Sequence, residues 1–254
     1  DIIYTEETMG PKELLEQDCV ISLSKMKTHA LERITGAVKN SYGFIYGFHK
    51  AKGHTQYPSA DSFARMLIDL NKCVAPKLYV MDGIVAMEGN GPGSGDPVPM
   101  NVLLMSTDPV ALDSVFSRLV YLKPEMVPTN YHGEKMGLGT WKEEEITLLT
   151  PDGEISMAEA VKKYGNPAFN VDRTEVRKNI WTRMAGALNI FQKKPYIEAD
   201  KCVRCGICVQ SCPVPGKAVD FRKGKGKPPV YDYRKCIRCF CCQEMCPKKA
   251  IKVK

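Results

Sequence analysis

Short apolar runs bounded by turn-forming residues recur along the first two thirds of the chain: CVISL (19–23), KLYVMD (77–82), NVLLMS (101–106) and ITLLT (146–150). Runs of that length and composition predict strands. Between them the apolar positions fall three and four apart. Residues 59–74 set Phe63, Met66, Leu67, Leu70 and Cys73 on one helical face. Residues 107–120 offer Asp108 as an N-cap with Pro109 at the first helical position. Residues 156–165 carry a capping box, Ser156 with Glu159, and stop at Gly165. Strands alternating with helices predict an α/β fold, a mostly parallel sheet with helices on both faces. Over 166–195 the pattern turns irregular and then helical, and it leads to a segment of different character. The boundary is placed at Gln192, giving an α/β domain over 1–192 and a small domain over 193–254.

Cysteine marks the change of character, since nine of the eleven fall between 202 and 246. Both KCVRCGICVQSCP and KCIRCFCCQEMCP contain C-x2-C-x2-C-x3-C-P, and they align at a constant offset of 34 residues, an internal duplication. Thiolate is the soft ligand that iron–sulfur chemistry needs. Three cysteines two residues apart can wrap one cube, and the fourth, followed by Pro, ligates the other. The spacing therefore predicts two [4Fe–4S] clusters, one on Cys202, Cys205, Cys208 and Cys246, the second on Cys236, Cys239, Cys242 and Cys212. Zinc knuckles do not use two such triplets each closed by C-x3-C-P. Disulfides require an oxidising compartment, and no basic-then-apolar leader is seen. Cys241 breaks the spacing and is either a packed free thiol or an alternative ligand. Cys19 and Cys73 stand alone and are expected to be small core residues.

Composition narrows the class. A hydrophobic content of 44% and a charged content of 26% over 254 residues suit a soluble globular chain. No run of eighteen apolar residues predicts a membrane span, and the expected location is cytoplasmic. Of the net charge of +7, residues 193–254 supply 16 Lys and Arg against 5 Asp and Glu, or +11, leaving −4 for the rest. A basic tail usually suggests nucleic acid. Here the excess lies where anionic clusters need balancing, and no aromatic–basic stacking module accompanies it. The basic stretch DFRKGKGKPPVYDY (220–233) reads as a hairpin or loop, either a docking site for an acidic electron carrier or a plain surface turn.

In an α/β body, ligands sit outside the carboxyl ends of strands. After the strand at 19–23 come Lys25, Lys27 and His29, and a helical turn later Lys39 and Asn40. Lys25 and Lys27 alternate in an extended stretch and so share a face. A cluster of amines repels itself unless an anion sits among it, which favours a pocket for a carboxylate- or phosphate-bearing ligand over salt bridges to Asp82 and Glu88. The loop holding Asp82, Glu88 and five glycines between 83 and 95 matches neither a dinucleotide fingerprint nor a Walker loop. It reads as a weak phosphate site or a long turn. Asp108 is explained by helix capping. His49, His54 and His132 lie in polar or Gly-rich stretches without zinc spacing.

SKMKTHALERITGAVKNSYG, YVMDGIVAMEGNGPGSGDP and LLMSTDPVALDSV, followed by the cysteine-rich tail, resemble the domain of unknown function family 362, over about residues 15–125. The tail, over about 196–254, is similar to bacterial-type 2[4Fe–4S] ferredoxins, which implies a ferredoxin-like α+β fold and one-electron transfer at low potential. The family implies an α/β body fused to such a tail in organisms rich in anaerobic metabolism, and no established reaction. Its members carry a further α/β stretch before the segment matching DCVISLSKMKTH. Two functions follow as expectations. One is a redox enzyme in which electrons reach a ligand held by Lys25, Lys27, His29, Lys39 and Asn40, with Asp82 or Glu88 handling protons. The other is a non-catalytic electron-transfer subunit whose body is a docking module. Either needs a redox partner such as an acidic ferredoxin or flavodoxin.

Overall fold

The structure, a computed structural model, describes residues 14, 16–45, 48–175 and 193–254. The expected boundary at Gln192 and the helical stretch leading to it lie outside the described residues.

The body is built on a four-stranded sheet of β1 (Ile21–His29), β2 (Arg33–Thr35), β3 (Leu78–Glu88) and β4 (Asp96–Ser106), in the order β2-β1-β3-β4. β1 runs parallel to β3, whereas β2 and β4 are antiparallel to their neighbours. The sheet is mixed, which corrects the expectation of a mostly parallel one. β3 and β4 each extend to 11 residues and are joined by the short glycine-rich loop. A link that short permits only a hairpin. The run at 146–150 does not join this sheet: β5 (Leu148–Thr150) pairs with β6 (Gly153–Ile155) in a hairpin of its own.

The body's helices are α1 (Ala37–Asn40), α2 (Phe48–Gln56), α3 (Ala60–Val74), α4 (Pro109–Leu119), α5 (Pro128–Lys135) and α6 (Met157–Tyr164). Met26, Tyr79 and Met81 on the inner sheet face pack with Phe116, Leu119 and Phe169 in one cluster. Phe63, Met66, Leu67 and Leu70 of α3 form a second with Val38 and Val110. The outer face is different. Leu23, Val80 and Met105 stand side by side across three strands, and Ile21, Leu23, Leu103 and Met105 are 53–74% exposed. Among the described residues, helices thus cover one face and not both. Cys19 and Cys73 are exposed as well, against the expectation of core residues. Cys73 lies in the last turn of α3, past the buried part of its apolar stripe. The stretches holding His49, His54 and His132 are not loops but parts of α2 and α5.

The tail contains β7 (Pro195–Ile197) paired with β10 (Ile251–Val253), the hairpin β8 (Val219–Asp220) and β9 (Val230–Tyr231), and two short helices, α7 (Ile207–Gln210) and α8 (Cys241–Glu244). The duplication is visible in the backbone. α7 and α8 are one repeat apart, and Arg204 and Arg238 both have φ of 58°. Gly206 at φ 79° is matched by Phe240 at φ 61°, a left-handed conformation that a bulky residue adopts only under constraint. The basic stretch at 220–233 is the β8–β9 hairpin.

Asp108 caps α4 as expected: Oδ1 accepts from the backbone N–H of Val110 (2.8 Å) and Ala111 (2.9 Å). Its other oxygen accepts from Thr140 N–H at 2.9 Å, which pins the chain after α5. Asp108→Ala is expected to lower stability by about 1 to 2 kcal/mol, the loss of one cap and one orphaned N–H. Urea unfolding followed by circular dichroism measures it, and unchanged cluster EPR would show that the effect is confined to the body.

Candidate metal centres and the cleft between body and tail

Each repeat turns its cysteines inward by the same device: a left-handed residue, a short helix that carries the third cysteine, and a fourth cysteine at the helix exit. The outcome is two hollows. The first is lined by Cys202, Cys205, Cys208 and Cys246, with Val203, Arg204 and Lys248 at its rim. Cys212, Cys236, Cys239 and Cys242 line the second. All eight thiols are free. Among the described residues no three His, Cys, Asp or Glu side chains converge closely enough to chelate a single ion. The cysteines ring apolar spaces instead, a donor set that suits a cube of iron and sulfide.

Electrostatics fits the same group. Burial, with Cys202 and Cys205 nearby, pushes the Cys208 thiol up to about 11. Burial also raises Cys236 and Cys242. Such a ring resists ionisation until a cation takes up the thiolate charge. Donors await the sulfurs: Ala218 N–H reaches Cys212 Sγ and Ala250 N–H reaches Cys246 Sγ, both at 3.3 Å, and Tyr231 O–H reaches Cys242 Sγ at 3.2 Å. Cys241 is half-buried, and its thiol is directed at Cys239, whose pKa that contact lowers.

The tail sits on the glycine-rich β3–β4 loop. Gln243, fully buried, donates from Nε2 to the carbonyls of Asn90 (2.8 Å) and Gly91 (3.2 Å). Asn90 Nδ2 donates to Ile251 O at 3.0 Å and Lys249 Nζ to Gly95 O at 2.9 Å. A Cβ on Gly91 would lie 2.3 Å from the Thr28 carbonyl oxygen, and one on Gly93 would lie 2.8 Å from the carbonyl oxygen of Glu244. The glycines thus let the loop lie flat between β1 and α8. A side-chain contact between body and tail joins His29 Nε2 to Glu244 Oε1 at 3.0 Å. His29 Nδ1 accepts from the N–H groups of Leu31 and Glu32, so Nε2 carries the proton and donates. Burial, chiefly, with repulsion from Lys39, drives His29 down to about 4. Burial would raise Glu244, but the His29 bond and the Lys39 charge hold it at about 2.

Beside this contact lies a cleft of about 760 Å³ shared by both domains. Lys27, Lys39, Asn40 and Lys50 line it from the body; Gln210, Ser211, Cys241 and Glu244 line it from the tail. Gln210 and Ser211 immediately precede Cys212, and Cys241 precedes Cys242, so the tail wall of the cleft backs onto the second hollow. Burial, then repulsion from Lys39, holds the Lys27 amine below the usual lysine range.

The structure brings together three of the expected body residues, Lys27, Lys39 and Asn40, with His29 just beneath them, and it separates the rest. Lys25 and Lys27 do alternate onto one side of β1, either side of the fully buried Met26, but the pairing with β3 shifts register between them, from Asp82 to Met87. Lys25 is taken up by β3 instead of the cleft: its Nζ meets Asp82 Oδ2 at 2.6 Å and Val85 O at 2.9 Å. That contact lowers the Asp82 pKa. Glu88 accepts the N–H of Asn170 at 2.8 Å. Neither carboxylate lines the cleft. Lys50, Glu244 and Gln243 were not foreseen. The duplication held a signal for two of them: the first repeat has Val209 and Gln210 where the second has Gln243 and Glu244.

His29→Phe is expected to cost about 2 kcal/mol, because a charged, partly buried carboxylate loses its donor. Lys25→Ala, at an exposed pair, should change stability by less than about 0.5 kcal/mol. Anaerobic denaturant titration of the cluster-loaded protein compares the two, and equal losses would remove His29 from its central role.

Comparison with known proteins agrees with this architecture. Residues 4–118 match the family model "Domain of unknown function (DUF362)", and residues 194–247 match the "4Fe-4S dicluster domain". A thylakoid-associated protein of Synechocystis sp. is 41% identical over 128 residues, which is 50% of this chain and 40% of that relative. The chain therefore spans well under two thirds of the relative's length. The dicluster match carries with it an iron–sulfur electron-transfer role, and the protein joins a domain of the DUF362 family to a 4Fe-4S dicluster domain.

Proposed function

We propose that this protein is a two-cluster electron-transfer protein acting as an oxidoreductase, in which electrons that enter at the first hollow leave past the second toward an anionic acceptor in the body–tail cleft. The observation that carries the reading is that the cleft is walled on one side by lysines and on the other by residues adjoining Cys212 and Cys242. A bound [4Fe–4S] cluster supplies a one-electron carrier whose potential depends on nearby charge, hydrogen bonds and burial. Cys202, Cys205, Cys208 and Cys246 would hold one such cluster and Cys236, Cys239, Cys242 and Cys212 the other, over a domain running from residue 193.

The chain's own residues define a direction. Cys205 is exposed, and Val203 beside it is 52% exposed between the exposed cations Arg204 and Lys248. A small apolar centre ringed by positive charge suits transient docking of an acidic one-electron carrier, of ferredoxin or flavodoxin type. The second hollow is covered by Tyr231, Arg238 and Phe240. Its way out is the cleft, where Lys27, Lys39 and Lys50 stabilise negative charge on a bound carboxylate or phosphate, and Asn40 adds an amide. Asp82 and Glu88 have no part in proton handling. No helix among the described residues is long and apolar enough to cross a membrane. The reading places the chain in a reducing, cytoplasmic setting, where free thiols persist.

Anaerobic reconstitution should yield about eight iron and eight sulfide per chain, with Cys246→Ser disturbing the centre of the first triplet and not that of its own repeat. Resonance Raman and EPR of the variant distinguish the two. Counts near four, or zinc in place of iron, would end the proposal. Lys27→Met with Lys39→Met should lower the potential of one centre and leave the other in place, because fixed cations favour the reduced state of the nearer cluster. Spectroelectrochemistry reads this shift without any acceptor. Two unchanged potentials would show that the cleft does not face a cluster.

A further inference from the structure

Beyond the lysines, the cleft holds an unmet demand for hydrogen bonds. Thr35 and His54 both line it, and they are 2% and 4% exposed. Thr35 Oγ1 and His54 Nδ1 have no hydrogen-bond partner. Orphaned polar atoms of this kind are uncommon in folded proteins and cost stability unless something serves them. Both residues border one cleft, from β2 and α2, and both orphaned atoms are closed to solvent, so only a group that settles into the wall beside them can serve them.

The surroundings keep His54 in place. Its ring stacks on Phe63 with centroids 4.6 Å apart at 11° and meets Tyr42 edge-on at 5.3 Å. Burial lowers its pKa to about 4, so the imidazole is neutral, with one nitrogen to donate and one to accept. A threonine hydroxyl likewise does both. Neither group is suited to hold a second full charge. Together they suit a neutral polar group that can donate and accept.

We infer that the cleft's ligand carries, besides the oxyanion held by Lys27, Lys39 and Lys50, a hydroxyl or equivalent neutral group, and that Thr35 and His54 receive it. This rests on the anion-binding reading above and adds specificity to it. A volume of about 760 Å³ leaves room for such a bifunctional small molecule. Thr35 and His54 are specificity residues in this account, selecting among anions by what lies beyond the charge.

The test uses oxidised, cluster-loaded full-length protein and two pairs of probes matched in size. 2-Hydroxyglutarate is compared with 2-methylglutarate, and 2-hydroxyethyl phosphate with propyl phosphate, by anaerobic calorimetry. In at least one pair the hydroxyl member should bind about tenfold tighter than its methyl counterpart, and the pair that shows it separates a carboxylate ligand from a phosphate one. In Thr35→Val with His54→Phe, which keep shape and stacking, the preference should vanish while both members still bind. His54→Asn, which restores a polar group near Nδ1, should recover part of it. Equal binding within both pairs overturns this inference and leaves the anion cleft standing. So does a preference that survives in the double variant. Failure of all four probes to bind overturns the anion reading itself, and the inference with it.

Discussion

One hydrogen bond sets the geometry on which the two halves depend. The imidazole of His29 ends the central strand β1, is shut off from water, and offers its one N–H to Glu244 in the helix that carries Cys242. The two backbone N–H groups on Nδ1 leave it no other tautomer. A carboxylate kept charged at that spot is in turn a neighbour for Lys39, so the same contact that fixes α8 also helps order one wall of the cleft. Breaking the bond would disturb docking, charge balance and cleft shape together.

Two hollows built from one repeated motif are chemically unequal because their neighbours differ. The first opens toward solvent beside Cys205; the second is closed by Tyr231, Phe240 and the body. More burial, an O–H donor on Cys242 and nearby lysines all act on the second. Cluster potentials respond to these same influences. Two sites built from one motif are therefore made different by where the second copy rests, with no change in ligand type.

Much of this was legible in the residues and some was not, for identifiable reasons. The cysteine spacing groups the thiols in two sets of four because C-x2-C-x2-C-x3-C-P is a local, repeated pattern, and the two hollows are lined by the same sets. Asp108, Ser156 and Glu159 announced their helices because capping is local. Sheet polarity differs from the expectation because a period of apolar residues does not say whether a glycine loop turns back or crosses over. Lys25 and Lys27 share a side of β1 as their alternation implies, but alternation does not say that Asp82 on the neighbouring strand takes Lys25 away from the cleft. Lys50 and His54 lie one turn apart on α2, a link hidden while that stretch reads as a loop, and Thr35 joins them only through the fold that brings β2 to the same cleft. Gln243 and Glu244 could have been noticed: where one repeat departs from its twin, the departing copy has a contact that the other lacks.

The flat glycine loop has a practical corollary. Iron–sulfur tails are often treated as cassettes that can be cut away and spliced elsewhere, and this one holds all eight hollow-lining thiols within its own stretch of chain. Yet Gln243, Lys249 and Glu244 spend their hydrogen bonds on the body, and β10 takes one from Asn90. An excised tail would bare a buried amide and a carboxylate beside its second centre. It would be a different redox reagent from the tail in place, and measurements on the fragment would describe the fragment alone.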